Sequence, residues 1–350
     1  MRVGILTASL SRGGAERQAT LWAAAVARAG HEVELLGLHA RGQEYAVPVS
    51  ARVDYVGKRG PMDLARVLRA VRGLARRVDV VAAFQPYLGL FCAAQPLAVP
   101  WLLVTGEDPR RFADTSRVPT RLLGAGVRRA AVRVAPTRGL VECHRALGLG
   151  RDGWEVIPNV AAEEAYSSGE EPRDRQVLWV GRLVEEKDPL LAVEVARRAG
   201  VRLTVLGEGP LEAAVRAAGG DRVDLVGFTP EPWPHYRRHA ALLLTSRYEA
   251  FGNVLVEALA AGTPVVAGDC DFGPREILAG AATSRLVPRE PERLAAAVVA
   301  VAERAADQEA RREARELAEA YRLEALAPRI RATLERVASY ERPGSPERSI

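Results

Sequence analysis

Short apolar runs alternate with helix-periodic stretches along nearly the whole chain, and the alternation occurs twice, on either side of one polar segment. In the first half, residues 3–8, 32–38, 52–56, 79–84, 101–105, 133–136 and 154–157 read as strands, and 15–29, 63–77, 87–94, 117–131 and 139–147 as helices. The second half repeats the pattern with strands over 177–180, 202–206, 223–227, 241–245, 265–267 and 285–287. Helices there are expected over 189–199, 211–218, 234–240, 291–306, 308–321 and 323–340. Strands joined by helical crossovers run parallel, because each crossover returns the chain to the same end of the sheet, and helices cover both faces. Residues 158–175, PNVAAEEAYSSGEEPRDR, are polar and acidic and read as a linker. A chain of 350 residues also exceeds what one core usually holds. The expectation is an α/β protein of two doubly wound parallel-sheet domains, 1–165 and 172–322, facing each other across a cleft. Ligands of such sheets bind outside the carboxyl ends of the strands. The stretch 342–350, charged and rich in Pro, Gly and Ser, is expected to be disordered.

Composition removes several classes of function. The three cysteines, Cys92, Cys143 and Cys270, are widely spaced and odd in number, which argues against a disulfide framework and for a reducing compartment. No Cys-x-x-Cys or His/Cys cluster suggests zinc. The start, MRVGILTASL, lacks a long apolar region with a cleavage site, so a cytoplasmic protein is expected. Residues 80–106 carry no charge, yet Pro86, Pro96 and Pro100 cut the run, so strand, helix, strand fits it better than a membrane span. Charge is uneven: residues 1–160 hold 23 Lys+Arg against 13 Asp+Glu, whereas 161–350 hold 26 against 31. The first half therefore faces something anionic. No RRM, zinc-finger or homeodomain pattern supports nucleic acid, leaving an anionic membrane face or a phosphate-bearing acceptor.

Four loops at predicted strand ends carry residues suited to a phosphorylated ligand. After the first strand, Gly13-Gly14 opens a helix and lets backbone amides approach an anion; the same pair also suits a plain tight turn. After the first strand of the second half comes Gly181-Arg182-Leu183-Val184-Glu185-Glu186-Lys187, whose Arg182 and Lys187 can reach one diphosphate as a fork and a compact charge. Lysine is otherwise rare, with Lys58 the only other. The third loop, Gly207-Glu208-Gly209-Pro210, together with Phe228, can frame a planar base, although strand-turn-helix chemistry explains the glycines as well. The fourth, residues 246–277, places Glu249 before a helix and Glu257 inside it, with Phe251, Gly252 and Asn253 between. Amides at a helix start are orphan donors at a positive end, suited to phosphate and sugar oxygens. Glu257 is flanked by Val254, Leu255, Val256, Ala258 and Leu259, which weakens a solvated-face reading.

GGAER at 13–17, VGRLVEEKD at 180–188, LGEGPL at 206–211, SRYEAFGNVLVEALAAGTPVVA at 246–267 and DCDFGPREIL at 269–278 resemble the retaining GT-B glycosyltransferases of family four (glycosyl transferases group 1). The resemblance covers nearly the whole chain and implies two Rossmann-like domains, with the helix over 323–340 crossing back onto the first. It implies that Arg182 and Lys187 hold the donor diphosphate, Glu257 the ribose, and Glu249 with the amides of Phe251, Gly252 and Asn253 the sugar. Gly14 would approach the phosphate from the first domain. No Asp-x-Asp metal motif is read at the expected kind of loop, so Arg182, Lys187 and helix-end amides would stabilise the leaving diphosphate without a metal or other cofactor. Retention in such enzymes is thought to proceed by front-face substitution. Many relatives carry a His after the fifth strand; here Val104-Thr105-Gly106-Glu107-Asp108-Pro109 has none, leaving Glu107 or Asp108 as acceptor-side candidates.

The expectation is a metal-independent retaining glycosyltransferase taking a nucleotide sugar, a UDP-sugar first, to a glycan or lipid-linked acceptor in cell-surface polysaccharide biosynthesis. A non-catalytic nucleotide-sugar binder and a sugar-nucleotide epimerase stay open as other readings. On the helix over 63–77, Leu64, Val67, Leu68, Val71 and Leu74 form a stripe, while Arg66, Arg69, Arg72, Arg76 and Arg77 lie mostly off it. Such a helix either lies peripherally on the inner face of an anionic membrane or packs on the core with a solvated arginine face. Arg110, Arg111, Arg117, Arg121, Arg128 and Arg129 extend the basic surface.

Overall fold

A computed structural model describes residues 1–11, 13–39, 45–48, 50–58, 60, 63–112, 119–167, 174–304 and 306–340. The expected disordered tail, the middle of the expected linker and Arg117 lie outside the described residues. The chain divides into two compact units, Met1–Pro158 with the chain from Leu326, and Asn159–Ala325.

In the first unit the strands are β1 (Arg2–Thr7), β2 (Glu32–Gly37), β3 (Arg52–Tyr55), β4 (Val80–Phe84), β5 (Trp101–Val104), β6 (Val132–Ala135) and β7 (Trp154–Val156). Helices α1 (Gly14–Arg28), α2 (Leu64–Ala75), α3 (Pro86–Ala93), α4 (Thr120–Arg129) and α5 (Arg138–Ala146) connect them. The sheet order is β3-β2-β1-β4-β5-β6-β7, parallel throughout. All five residues of β4 are buried, which explains why the sequence shows a continuous apolar run there and not an alternating one: helices cover both faces. Trp22 of α1 meets Phe84 of β4 edge to face at 5.5 Å. The order reverses between β1 and β4, so the crevice outside their carboxyl ends is the natural ligand position.

On α2, Val67, Val71 and Leu74 are buried in the core, and Leu64 is 51% exposed. Three of the five stripe residues are therefore spent on the domain's own core. Arg66, Arg69, Arg72 and Arg76 are exposed, while Arg77 pairs with Glu34 at 2.8 Å. Asp63 holds the cap position of α2 but makes no side-chain cap bond; it accepts instead from the Gly60 amide at 3.1 Å.

The second unit has β8 (Val177–Val180), β9 (Leu203–Leu206), β10 (Val223–Gly227), β11 (Ala241–Leu244), β12 (Tyr248–Glu249), β13 (Val265–Gly268), β14 (Asp271–Phe272) and β15 (Arg285–Val287). Its helices are α6 (Pro189–Ala199), α7 (Glu212–Gly219), α8 (Trp233–Arg238), α9 (Asn253–Ala260), α10 (Gly273–Ile277), α11 (Pro291–Glu303) and α12 (Gln308–Glu319). The main sheet runs β10-β9-β8-β11-β13-β15, again parallel and again reversing beside its first strand. A small parallel pair, β12 with β14, stands apart from it.

The unit boundary falls at Pro158, earlier than the sequence-based limit of 165. The intervening segment packs on the second unit. The Ala161 amide donates to Tyr321 O at 2.9 Å, Ala165 is fully buried, and the Tyr166 hydroxyl donates to Ala318 O at 2.7 Å. Arg322 lies 3.9 Å over the Tyr166 ring. Helix α13 (Leu323–Ala338) belongs to the first unit from Leu326, where Thr333 donates to Glu155 at 2.7 Å and Arg336 pairs with the same carboxylate.

Candidate active site

The reversal of strand order in the second unit lies between β8 and β11, and the two loops leaving those strands meet. The Lys187 ammonium contacts Glu249 Oε2 at 2.6 Å, and Ser246 Oγ donates to the same oxygen at 3.2 Å. Both members of the ion pair are largely shielded, with side chains 19% and 13% exposed. Arg182, on the same loop as Lys187, is exposed. Among the described residues, three non-glycine residues have left-handed backbone: Asp188 (φ 49) beside Lys187, Phe272 (φ 80) paired with Glu249 across β12–β14, and Gln85 (φ 91) after β4. Strain of this kind persists only where the surroundings over-determine it, and it concentrates at working sites. Asp188 and Gln85 follow the carboxyl ends of β8 and β4, and Phe272 is the last residue of β14.

Helix α9 begins at Asn253, with Gly252 (φ 99) at its cap and no side-chain cap bond, which leaves its first amides as donors. Asn253 Oδ1 accepts from Asn159 at 2.9 Å. The Phe251 side chain, 4% exposed, packs edge to face on Tyr321 at 5.6 Å, which leaves the expected role to its amide. Its side chain is core, and only its backbone is left to face a ligand. Glu257 is 5% exposed and accepts from the Tyr236 hydroxyl at 3.1 Å. Tyr236, itself fully buried, was not legible as a site residue. A carboxylate among apolar neighbours needs a donor, but its position 21 residues upstream has no spacing signature.

Next to this edge, β8, β9 and β10 are followed or ended by Gly181, Gly207 and Gly227. The Gly181 amide donates to Leu206 O at 3.0 Å and the Gly207 amide to Gly227 O at 2.8 Å. This makes a side-chain-free ledge, with Phe228 41% exposed beyond it. One Asp-x-Asp triplet does stand at the site edge, Asp269-Cys270-Asp271. Arg275 pairs with both carboxylates, at 2.7 Å and 3.5 Å. Burial, and then Glu249, push the intervening Cys270 thiol up to about 12, so it stays protonated. Among the described residues no group of three or more His, Cys, Asp or Glu is placed to hold a metal ion.

In the first unit, Gly14 is the first residue of α1, and Glu16 Oε2 sits 2.0 Å from where a Cβ on Gly13 would be. This helix end therefore already faces a carboxylate of its own chain. The acceptor-side alternatives separate clearly. Asp108 is 4% exposed and engaged by Arg110 through side chain (2.7 Å) and backbone (2.9 Å), with the Cys143 thiol at 3.7 Å. It fixes a turn and has no carboxylate oxygen to spare for a substrate, a correction to its candidacy. The Arg110 hydrogen bonds outweigh burial and hold its carboxyl below the usual range. Glu107 differs: burial, and then Glu16, push it up to about 7. Tyr87, in the first turn of α3, is raised by burial, Glu16 and Glu107.

A carboxyl raised in the folded state contributes stability that is present below its unfolded value near 4.5 and lost as pH rises through about 7. Glu107→Gln removes that loss. Thermal melts of the two proteins are expected to diverge in favour of the variant at pH 8 and to converge at pH 4.5; a difference independent of pH would refute the assignment.

Residues 13–160 match the family described as glycosyl transferase 4-like domain, and residues 174–304 the family described as glycosyl transferases group 1. The chain is 29% identical over 242 residues to a GDP-mannose-dependent alpha-mannosyltransferase of Mycobacterium tuberculosis, covering 64% of this chain and 63% of the relative. It is 33% identical over 217 residues to a 2-deoxystreptamine N-acetyl-D-glucosaminyltransferase of Streptomyces fradiae, covering 53% and 51%. The chain thus spans less than two thirds of either relative. Among solved structures, Anabaena HepE in complex with UDP-glucose superposes with a TM-score of 0.76 at 19% identity, over 96% of this chain and 100% of that one. Sucrose-phosphate synthase from Thermosynechococcus elongatus does so at 0.78 and 19%, over 96% and 98%. At such identity the likeness establishes the fold, two parallel-sheet α/β domains of the GT-B kind. Among the described residues no helix is long and apolar enough to cross a membrane.

Proposed function

We propose, from the premise that the chain belongs to the group 1 glycosyltransferases, that it transfers a sugar from a nucleoside-diphosphate sugar to a hydroxyl of a glycan or lipid-linked acceptor. A UDP-sugar is the first donor to try, since the neighbour HepE was solved with UDP-glucose; the GDP-mannose-dependent relative makes GDP-sugars the second. The observation that carries the reading is the 2.6 Å contact of Lys187 with Glu249 where the strand order reverses. It supports pairing a cation for a leaving diphosphate with a carboxylate for sugar hydroxyls.

In this reading Arg182 and Lys187 neutralise the charge that develops as the glycosidic C–O bond breaks. Glu249 and the first amides of α9 orient the sugar. Glu257 accepts from the ribose hydroxyls while Tyr236 fixes its carboxylate, and the glycine ledge with Phe228 receives the base. Two features support stabilisation by guanidinium and ammonium without a divalent ion: the Lys187–Glu249 pairing and the engagement of Asp269 and Asp271 by Arg275. Retention follows if the departing phosphate oxygen takes the acceptor proton on the same face. Glu107 is the acceptor-side carboxylate of choice, because Asp108 is occupied. The exposed arginines of α2 suit a phosphate-bearing acceptor or the anionic surface that presents it.

The test is thermal stabilisation by a panel of UDP- and GDP-sugars. A donor at ~100 times its Kd adds about 2.7 kcal/mol to folding stability. The expected result is a clear upward shift for one sugar class. If no nucleotide sugar or nucleoside diphosphate moves the melt, the reading fails.

A further inference from the structure

Beyond the residues that would touch the donor, the second unit holds the backbone at Lys187 with an unusual number of side chains. Thr245, fully buried at the end of β11, accepts from Trp179 Nε1 at 3.0 Å. Its hydroxyl lies 3.0 Å from Lys187 O and 2.8 Å from Asp188 O, positioned to donate to either. Asp188 is left-handed, caps α6 through a bond from the Leu191 amide at 3.4 Å, and has its other oxygen 3.2 Å from Arg247 Nε. Arg289, two residues beyond β15, completes the arrangement. Its Nε donates to Thr245 O at 3.1 Å and its Nη2 to Asp188 Oδ2. The stem of Arg289 passes so close over the end of β13 that a Cβ on Gly268 would stand 2.3 Å from Arg289 Cγ. One guanidinium therefore ties the loop after β8 to the loop after β11, the same two loops that carry Lys187 and Glu249.

We infer that Arg289 is a positioning residue for Lys187: by clamping Asp188 and Thr245 it fixes the loop from which the ammonium reaches the diphosphate. Two effects run together. Asp188 and Arg289 are partly shielded, 14% and 27% exposed, and the guanidinium adds to the bonds from Leu191 and Arg247 that hold Asp188 in its left-handed backbone. The same guanidinium offsets a carboxylate one residue from Lys187, which would otherwise oppose a bound diphosphate. Arg is required over Lys, because the task is two directed bonds from one planar group.

The inference rests on the donor reading above, and a double-mutant cycle separates the two. UDP and GDP, with uridine and guanosine as phosphate-free controls, are titrated into the unmodified protein, Arg289→Met, Lys187→Ala and the double variant; Arg289→Lys substitutes where Arg289→Met does not fold. The expected result is about a tenfold weaker nucleoside diphosphate affinity in Arg289→Met, unchanged nucleoside affinity, and less than a twofold further loss when Lys187 is already alanine. Equal losses in both backgrounds, or none in the first, would overturn the inference. If the unmodified protein binds no nucleoside diphosphate, the donor reading falls and takes the inference with it.

Discussion

Lys187→Ala is expected to lower the transfer rate by about a thousandfold while leaving the fold in place, the scale found when one preorganised donor to a developing anion is removed. The side chain is a short, directed charge in a partly shielded position, where Coulomb interactions are stronger than in water. Stability is a separate matter. The variant leaves Glu249 with the Ser246 hydroxyl at 3.2 Å, and at 13% exposure its carboxylate retains some solvent. The net cost of losing such a pair is expected to be about 1 kcal/mol, roughly one to two degrees of melting temperature at this size. Loss of turnover without loss of fold is therefore the diagnostic outcome, measured as donor turnover beside a melt. Turnover within tenfold of the unmodified protein would remove Lys187 from the chemistry. A weakened donor KM with normal kcat would instead make it a uniform binder, held equally in ground and transition states.

What the sequence showed and what it hid divide along physical lines. Strand and helix alternation is a local signal, and it located every strand of the two main sheets within a few residues. Glu257 was legible as buried because its apolar neighbours lie within one helical turn, and it is 5% exposed. Features made by contacts distant in sequence were not legible. The Pro158 boundary depends on Ala161 and Tyr166 meeting residues 318–322, over 150 positions away. Tyr236 behind Glu257 and Arg289 behind Asp188 are of the same kind, since nothing in their own neighbourhoods marks them. The place of the Phe251 ring was hidden in the same way: an aromatic residue at a helix start serves core and ligand equally well in sequence, and the Tyr321 ring it packs on is 70 residues on. Asp108 is the exception, because its partner Arg110 is two residues away and the engagement was within local reach.

Gly207→Ala is the second large effect, and it tests what the Gly207-Glu208-Gly209 turn is for. Gly207 has φ 139, which side chains rarely adopt, and a Cβ there would stand 1.9 Å from Gly181 O. The obstacle is backbone, not a flexible side chain, so the loops after β8 and β9 must part. Left-handed strain and overpacking each cost about 1–3 kcal/mol, so a loss on the order of 3 kcal/mol is expected. This corresponds to roughly four degrees of melting temperature at this chain length. Gly200→Ala isolates the conformational part: Gly200 has φ 69 with nothing within 4 Å of an added Cβ. Its cost is expected to be about 1 kcal/mol. Parting the loops also moves Gly181, next to Arg182, so Gly207→Ala is expected to weaken nucleoside diphosphate binding, whereas Gly200→Ala, at the opposite end of α6 from Asp188, is not. Equal melting losses in the two variants would mean that the glycine serves turn geometry alone. Unequal losses together with weakened binding would identify close approach of two backbones as the reason that no side chain stands on this ledge.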